Sequence, residues 1–494
     1  MTRQTLAVVH VAVFLLSRPA EAAESPLRAY YKDDFTLESP GGDFQLKIRG
    51  NVHLDLRAYQ ADDRGSPHSF DLRRGRIDLQ GTIHRWFTFR VQPELVGKPY
   101  LRNAWVDAAV RPWLHLRLGQ MKVPFSSSWA TLDNNLNFVE RGTSTPVYPF
   151  FDRGLLLWGE LWGGAVVYNL GAFTGAGIDV DYGSGDIDDS KDVAARLFLQ
   201  PLLHARREAL RGLFLAGQTT WGQMSVPTSR FETGGLRSAN FESAIWRWRT
   251  EQLIGTDGRV TDCTTAEIDS RLRWGVELHY LLGPLALSAE YLEVRYQGIN
   301  VYHDLMEGSS RRARERRLEA DGAVRSFSVF ISGYVTGDRK QLTNFGWKTA
   351  KPRRSLGEGG WGALELLGRY SRTWTDRALF AGQRVEGYET GDGALPAGYV
   401  AALPGARNRV TAAVLDGADD VHELTLGVSW TVNPMVRVQL NDVFLWTPFD
   451  DRDGDSNNDN LLVSGAKSDQ SDPTRKNTKT RWENAVMARL IFKL

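Results

Sequence analysis

Cations recur in this chain at even spacings. Lys47, Arg49 and Arg57 share one parity of a single run, Arg74 and Arg76 share one parity of the next, and Arg117 sits among leucines in Leu114–Leu118. Lys122 and Arg141 follow in a longer polar segment. A guanidinium keeps its charge at any physiological pH, and its planar donors match oxyanion oxygens two at a time. Rings of such groups select anions by replacing part of the ion's hydration shell while still letting it leave. Groups for bond-breaking chemistry do not assemble in the same way. The nine histidines are scattered without a nucleophile–base motif, and His53 and His115 lie on the polar parity, where contact with water accounts for them. One cysteine, Cys263, precludes an intrachain disulfide and a multi-cysteine zinc site. Asp450-Asp451-Arg452-Asp453-Gly454-Asp455 resembles a calcium loop, but its glycine comes too early and no glutamate closes it. The expectation is binding without catalysis, with no catalytic residue, no metal and no cofactor.

The elements that must carry these cations follow a period of two. From Phe44 the apolar set is Phe44, Leu46, Ile48, Val52, Leu54, Leu56 and Ala58, interleaved with Gln45, Lys47, Arg49, Asn51, His53, Asp55 and Arg57. The alternation returns at Val193–Leu199, Leu272–Tyr280, Leu424–Trp430, Val436–Leu440 and Val486–Leu494. Such strands are half-buried, and the first is longer than the usual 5–6 residues or so. Tight turns fall at Arg111-Pro112, Gly283-Pro284 and Asn433-Pro434. Long polar segments lie between them, at roughly 122–153, 175–191, 225–270, 301–320, 376–420 and 450–479, with a further connection near 338–359 on the side where short turns are expected. Short turns at one end and long loops at the other describe an all-β, transmembrane antiparallel barrel, counted here at about 16 strands. Aromatics near strand ends (Trp105, Trp113, Trp158, Trp162, Trp361, Trp374, Trp430, Trp446) read as interfacial girdles. The soluble alternatives, a propeller, a β-helix or a row of sandwiches, lack the fixed repeat they would need.

Composition agrees. Lys+Arg (60) nearly cancels Asp+Glu (59), which excludes a basic nucleic-acid binder. No stretch beyond the N-terminus approaches the ~20 apolar residues of a spanning helix. Residues 1–22 read as a cleaved export signal: Arg3, an apolar core from Leu6 to Leu16, and Ala20-Glu21-Ala22 as the cleavage site. Its removal leaves as many basic as acidic residues. The expected organisation is a signal peptide at 1–22, an N-terminal periplasmic segment at 23–42 and an outer-membrane barrel at 43–494, embedded in outer-membrane lipid.

Several stretches carry a family resemblance: Phe44–Arg57 after Gly41-Gly42; Phe70-Asp71-Leu72-Arg73-Arg74-Gly75-Arg76; and Leu118-Gly119-Gln120-Met121-Lys122-Val123-Pro124-Phe125 with Phe138-Val139-Glu140-Arg141. Asp152-Arg153-Gly154 and, above all, Gly333–Arg339 with Gly359–Glu365 and Arg369-Tyr370-Ser371 complete the set. Together the chain resembles the phosphate-selective porin O and P family. The resemblance implies a homotrimer of sixteen-stranded outer-membrane barrels, each with an anion pore narrowed by an inward-folded third loop. Two features depart from the family pattern. The chain ends Phe492-Lys493-Leu494 rather than in an aromatic residue, and Lys122 is the lone lysine of segment 122–153.

If the apolar parity faces lipid, then Lys47, Arg49, Arg57, Arg74, Arg76, Arg90, Arg117, Arg196, Arg271, Arg273, Arg369 and Arg437 face water. Asp55, Asp78, Glu94, Asp107, Glu277, Glu290 and Glu365 share that face, so ion pairing that merely stiffens the wall competes with anion binding for each arginine. The anion-binding candidates are Lys47, Arg49, Arg57, Arg74, Arg76, Arg117, Lys122 and Arg141. Arg141 is expected at the constriction, the competing reading being local pairing that holds the loop's shape. Arg311–Arg317 reads as a cationic loop run that steers anions or simply faces solvent. The expected cargo is small inorganic anions, with phosphate or polyphosphate among them. A general porin is the runner-up, and an outer-membrane enzyme barrel or a plugged structural barrel stands behind it.

Overall fold

The computed structural model describes residues 27–32, 34–61, 68–97, 100–175, 190–223, 260–307, 310–377, 415–451, 458–463 and 479–493, with short pieces at 177, 236–237, 244–248, 252–254, 383–384, 411–412 and 456. The expected signal segment, and much of 225–270 and 376–420, lie outside them.

Sixteen strands form the wall. The first eight are β1 (Phe44–Ala61), β2 (Ser69–Ile83), β3 (Phe87–Pro93), β4 (Leu101–Arg111), β5 (Leu114–Lys122), β6 (Phe151–Leu161), β7 (Val166–Phe173) and β8 (Asp192–Leu199). The rest are β9 (Leu213–Gln223), β10 (Ser270–Leu282), β11 (Leu285–Glu307), β12 (Ser310–Tyr334), β13 (Ala363–Thr375), β14 (Asp420–Thr431), β15 (Val436–Trp446) and β16 (Trp482–Lys493). Each pairs antiparallel with the next, and β16 returns to β1 from Glu483↔Ala61 to Lys493↔Asn51, so the sixteen strands close on themselves.

Alternation decides the faces. Leu426 is 56% exposed to the outside while its neighbour Thr425 is fully buried inside. The same holds for Leu56 against the buried Asp55 and Arg57 on either side of it. An apolar band facing outward around a polar interior is the membrane arrangement. The short turns follow local chemistry. At 432–435 the Asn433 Oδ1 accepts from Met435 N (2.9 Å) and Val436 N (2.8 Å), and between β10 and β11 Gly283 supplies a φ of +58°.

Two readings of the sequence are corrected. Segment 301–320 is no loop: β11 and β12 pair through it as far as Glu307↔Ser310, and Asp262–Glu267 add a further strand alongside. The run Arg311–Arg317 therefore lies on a strand, and its side chains lie outside the described residues. Trp105 and Trp158 belong to no girdle. Trp158 is buried in the lumen and donates to Asp107 (2.7 Å), and Trp105 lies beneath the Arg117 guanidinium. The N-terminal residues Arg28–Lys32 and Asp34–Glu38 form a hairpin that pairs with β1 (Phe35↔Ile48 to Glu38↔Gln45), extending the wall below the end of β16.

Candidate pore-lining site

Two connections fold back into the barrel from opposite ends. Loop 123–150 leaves β5 and is closed at its base by Val123 N donating to Phe150 O (3.1 Å). Its apolar residues Phe125, Trp129, Phe138 and Tyr148 are buried, which keeps it against the wall rather than in water. A short turn at Ser127–Ala130 is capped by Ser126 Oγ, which accepts from Trp129 N at 3.1 Å. Backbone groups beyond it are taken up by the far wall. Ser127 N donates to Glu277 (2.8 Å), Val139 N to Asn441 (2.6 Å) and Thr143 N to Glu423 (2.9 Å). Gln439 donates to the carbonyls of Leu136 and Asn137, both at 3.1 Å.

Two loop carboxylates gather the arginines. Asp133 meets Arg76, Arg74 (3.3 Å) and Arg141 (3.2 Å). Glu140 meets Arg57 (2.8 Å), Arg73 (3.0 Å) and Arg489 (2.8 Å). Burial alone would raise both carboxyls. The surrounding guanidiniums outweigh it and hold each well below the usual carboxylate range. Arg73 reaches the lumen through a bulge: His53 pairs with Arg74 and Leu54 with Leu72, so Arg73 is the extra residue and two consecutive arginines point inward.

Segment 335–362 enters from the short-turn end. Its hairpin, Gln341–Thr343 with Gly346–Lys348, crosses to the loop, where Trp347 N donates to Thr131 Oγ1 (2.8 Å) and Lys340 Nζ donates to Asn137 Oδ1 (2.9 Å). Gly346, at φ +91°, is required at this crossing, since a Cβ there would lie 2.3 Å from Thr131 N. Trp347 is 1% exposed, with its ring 5.1 Å from Phe330 and 5.4 Å from His279.

Three of the chambers left among the described residues share walls. The first, about 250 Å³, is lined by Arg49, Arg76, Arg90, Lys122 and Lys493 together with Asp34, Asp78 and Asp133. A second, about 290 Å³, shares Arg90, Asn103, Lys122, Leu132 and Asn135 with it. The third, about 590 Å³, opens at the short-turn end beside Lys47, Arg49, Lys348, Lys351 and Lys493. Asn135, at the tip of the inward loop, lines all three.

Most of the expected anion-binding residues carry local partners. Arg49 pairs with Asp34 of the N-terminal hairpin and donates to Gln80 (2.9 Å). Arg57 bridges Asp55 and Glu140; Arg76 bridges Glu94 (2.5 Å) and Asp133; Arg117 pairs with Asp107 (2.8 Å). Lys122 Nζ donates to the carbonyls of Trp129 (2.7 Å) and Thr131 (2.8 Å). Arg141 donates to Ser128 O (3.2 Å) and Thr131 O (2.8 Å) besides Asp133, so its three contacts all lie within its own loop. Lys47 lines the outer chamber. Strand parity missed Arg73, because a bulge leaves no mark in the alternation. Asp133, Asn135 and the inner hairpin were invisible for a different reason: each acts through a partner far away in sequence. Among the described residues no group of His, Cys, Asp or Glu is arranged to hold a metal.

The chain matches the family model described as phosphate-selective porin O and P over residues 46–206 and 244–466. A relative in Caulobacter vibrioides, an uncharacterized protein, is 22% identical over 388 residues, covering 74% of this chain and 68% of its own. Among solved structures, outer-membrane expressed OmpT of Vibrio cholerae aligns over 93% of this chain and 100% of its own, at 10% identity and a TM-score of 0.48. An anion-selective porin from Comamonas acidovorans aligns over 91% and 100%, at 11% identity and 0.44. The family match spans most of a chain that closes into sixteen strands around a charged lumen, and the chain therefore belongs to the phosphate-selective porin O and P family, an outer-membrane porin and not an enzyme.

Proposed function

We propose that this porin passes small anions through the chambers beside loop 123–150, working as a homotrimer after export by a signal peptide at residues 1–22. The observation that carries the reading is the first chamber, where five cations face three carboxylates. A local excess of positive charge focuses anions even though the whole chain is near neutral. The trimer and the signal peptide rest on the family resemblance and the N-terminal sequence. Inorganic anions, phosphate and polyphosphate among them, are the proposed cargo.

A general porin of weak selectivity is favoured by one observation: Asp133 and Glu140 already occupy six guanidiniums. Reversal potential in a planar bilayer under a salt gradient separates the two readings, and competition by phosphate then ranks the cargo. Asn135 offers the sharpest variant because it lines all three chambers. Asn135→Asp is expected to move the reversal potential toward cations and Asn135→Lys toward anions. Equal potentials in the two variants would place the ion path elsewhere.

A further inference from the structure

The inner hairpin carries an apolar ring into water inside the barrel. Phe345, at its tip, is 44% exposed, yet it faces the second chamber rather than lipid. A barrel lumen of this kind is ordinarily polar. Around Phe345 the chamber is walled by Trp105, Met121, Leu156 and Trp347, and by the cations Arg117 and Lys348 among others, and no carboxylate lines it. The first chamber, by contrast, holds three. Two of the cations have donors to spare. Among the described residues Arg117 uses only its Nε, on Asp107 (2.8 Å), and its guanidinium lies 4.0 Å over the Trp105 ring and 5.7 Å from that of Phe345. Lys348 is exposed and forms no ion pair among the described residues. The Trp347 indole N–H is buried without an acceptor among the described residues.

We infer that this chamber binds an organic anion in which a carboxylate is joined to an aromatic or compact apolar body, of about the size of benzoate. The inference rests on the anion-pore reading above and adds a substrate class to it. Inorganic phosphate offers no apolar surface, so it would leave Phe345 wet and gain nothing from Trp105 or Leu156. A benzoate-like anion places its ring against Phe345 and Trp105 and its carboxylate on the free nitrogens of Arg117 and on Lys348 Nζ. Aromatic faces reinforce such a cation rather than compete with it. Acetate, with the same carboxylate and almost no body, serves as the reference anion.

The test uses the full-length porin in planar bilayers, with chloride as the current carrier and benzoate, acetate or phosphate added in turn. Benzoate is expected to half-block the chloride current at a concentration at least tenfold below that of acetate or phosphate. Phe345→Ala, at an exposed turn position, is expected to raise the benzoate concentration about tenfold while phosphate block moves less than twofold. Lys348→Gln is expected to weaken block by benzoate and acetate alike. An anion-selective current that benzoate and acetate block equally, or a benzoate block untouched by Phe345→Ala, overturns the inference and leaves the pore reading standing. A current without anion preference overturns both.

Discussion

Loop 123–150 comes into the lumen from the long-loop end and meets arginines; segment 335–362 comes in from the short-turn end and meets rings. The loop is held on β1, β2 and β16 by ion pairs centred on Asp133 and Glu140, nearly all of them buried. The hairpin is held on β10 and β12 by the packing of Trp347 against His279 and Phe330, with hydrogen bonds at its flanks. Both devices narrow the same lumen, yet their consequences differ. Arginines paired in this way have their charge met by Asp133 or Glu140 and lend the charged wall rigidity more than free binding capacity, although the buried Arg74 Nη1 has no hydrogen-bond partner among the described residues. Packing by rings leaves the neighbouring Arg117 and Lys348 with unused donors. The difference teaches that the number of cations on a wall is a poor guide to where an anion binds; what matters is which of them have already been satisfied.

The largest effect is expected where the charged wall is broken. Glu140→Ala strips the shared carboxylate from Arg57, Arg73 and Arg489, and leaving buried cations so exposed to one another costs about 3–5 kcal/mol. Loss of heat-resistant mobility on gels, together with a noisier single-channel current, reads that outcome. A variant as heat-resistant as the parent would show that the loop does not depend on this cluster. On the ring-packed side, Trp347→Ala opens a cavity beside Phe330 and is expected to cost about 3 kcal/mol. Its signature is a wider conductance with anion preference retained; lost selectivity with unchanged conductance would reverse the roles assigned to the two walls. The smallest effect concerns acid. Asp133 and Glu140 sit well below the ordinary carboxylate range in the folded protein, so their stabilisation is fully present above pH ~4–5 and fades only as pH falls through the depressed values. Current noise is therefore expected to match at pH 7 and pH 4, and a rise by pH 4 would mean that the loop carboxylates are not held by their guanidiniums.

Much of the wall is readable in the chain, because a strand's side-chain period is two and lipid demands one apolar face. Phe44–Ala58 and Leu424–Trp430 show their faces without any structure. The reading fails where the rule has an exception. At Arg73 a bulge adds a residue, at Trp158 an aromatic lies on the lumen face, and in 301–320 polar residues continue a strand beyond the membrane, where no lipid enforces alternation. Charge is legible by position but not by availability. Arg117 and Arg76 look alike in sequence, and only the structure shows that one keeps unused nitrogens while the other is spent on Glu94 and Asp133.

The sequence by itself determined the class of this protein: a closed β-barrel with polar residues inside, long loops at one end and short turns at the other, because burying one face in lipid imposes a local periodicity that no distant contact can hide. Only the tertiary structure decided how the lumen is divided. Asp133 finds Arg74 and Arg76 across more than fifty residues of chain, and Trp347 finds Thr131 across more than two hundred. Such partners are chosen by the closure of the sheet, which brings remote loops to the same few ångströms and leaves no trace in the spacing of either one.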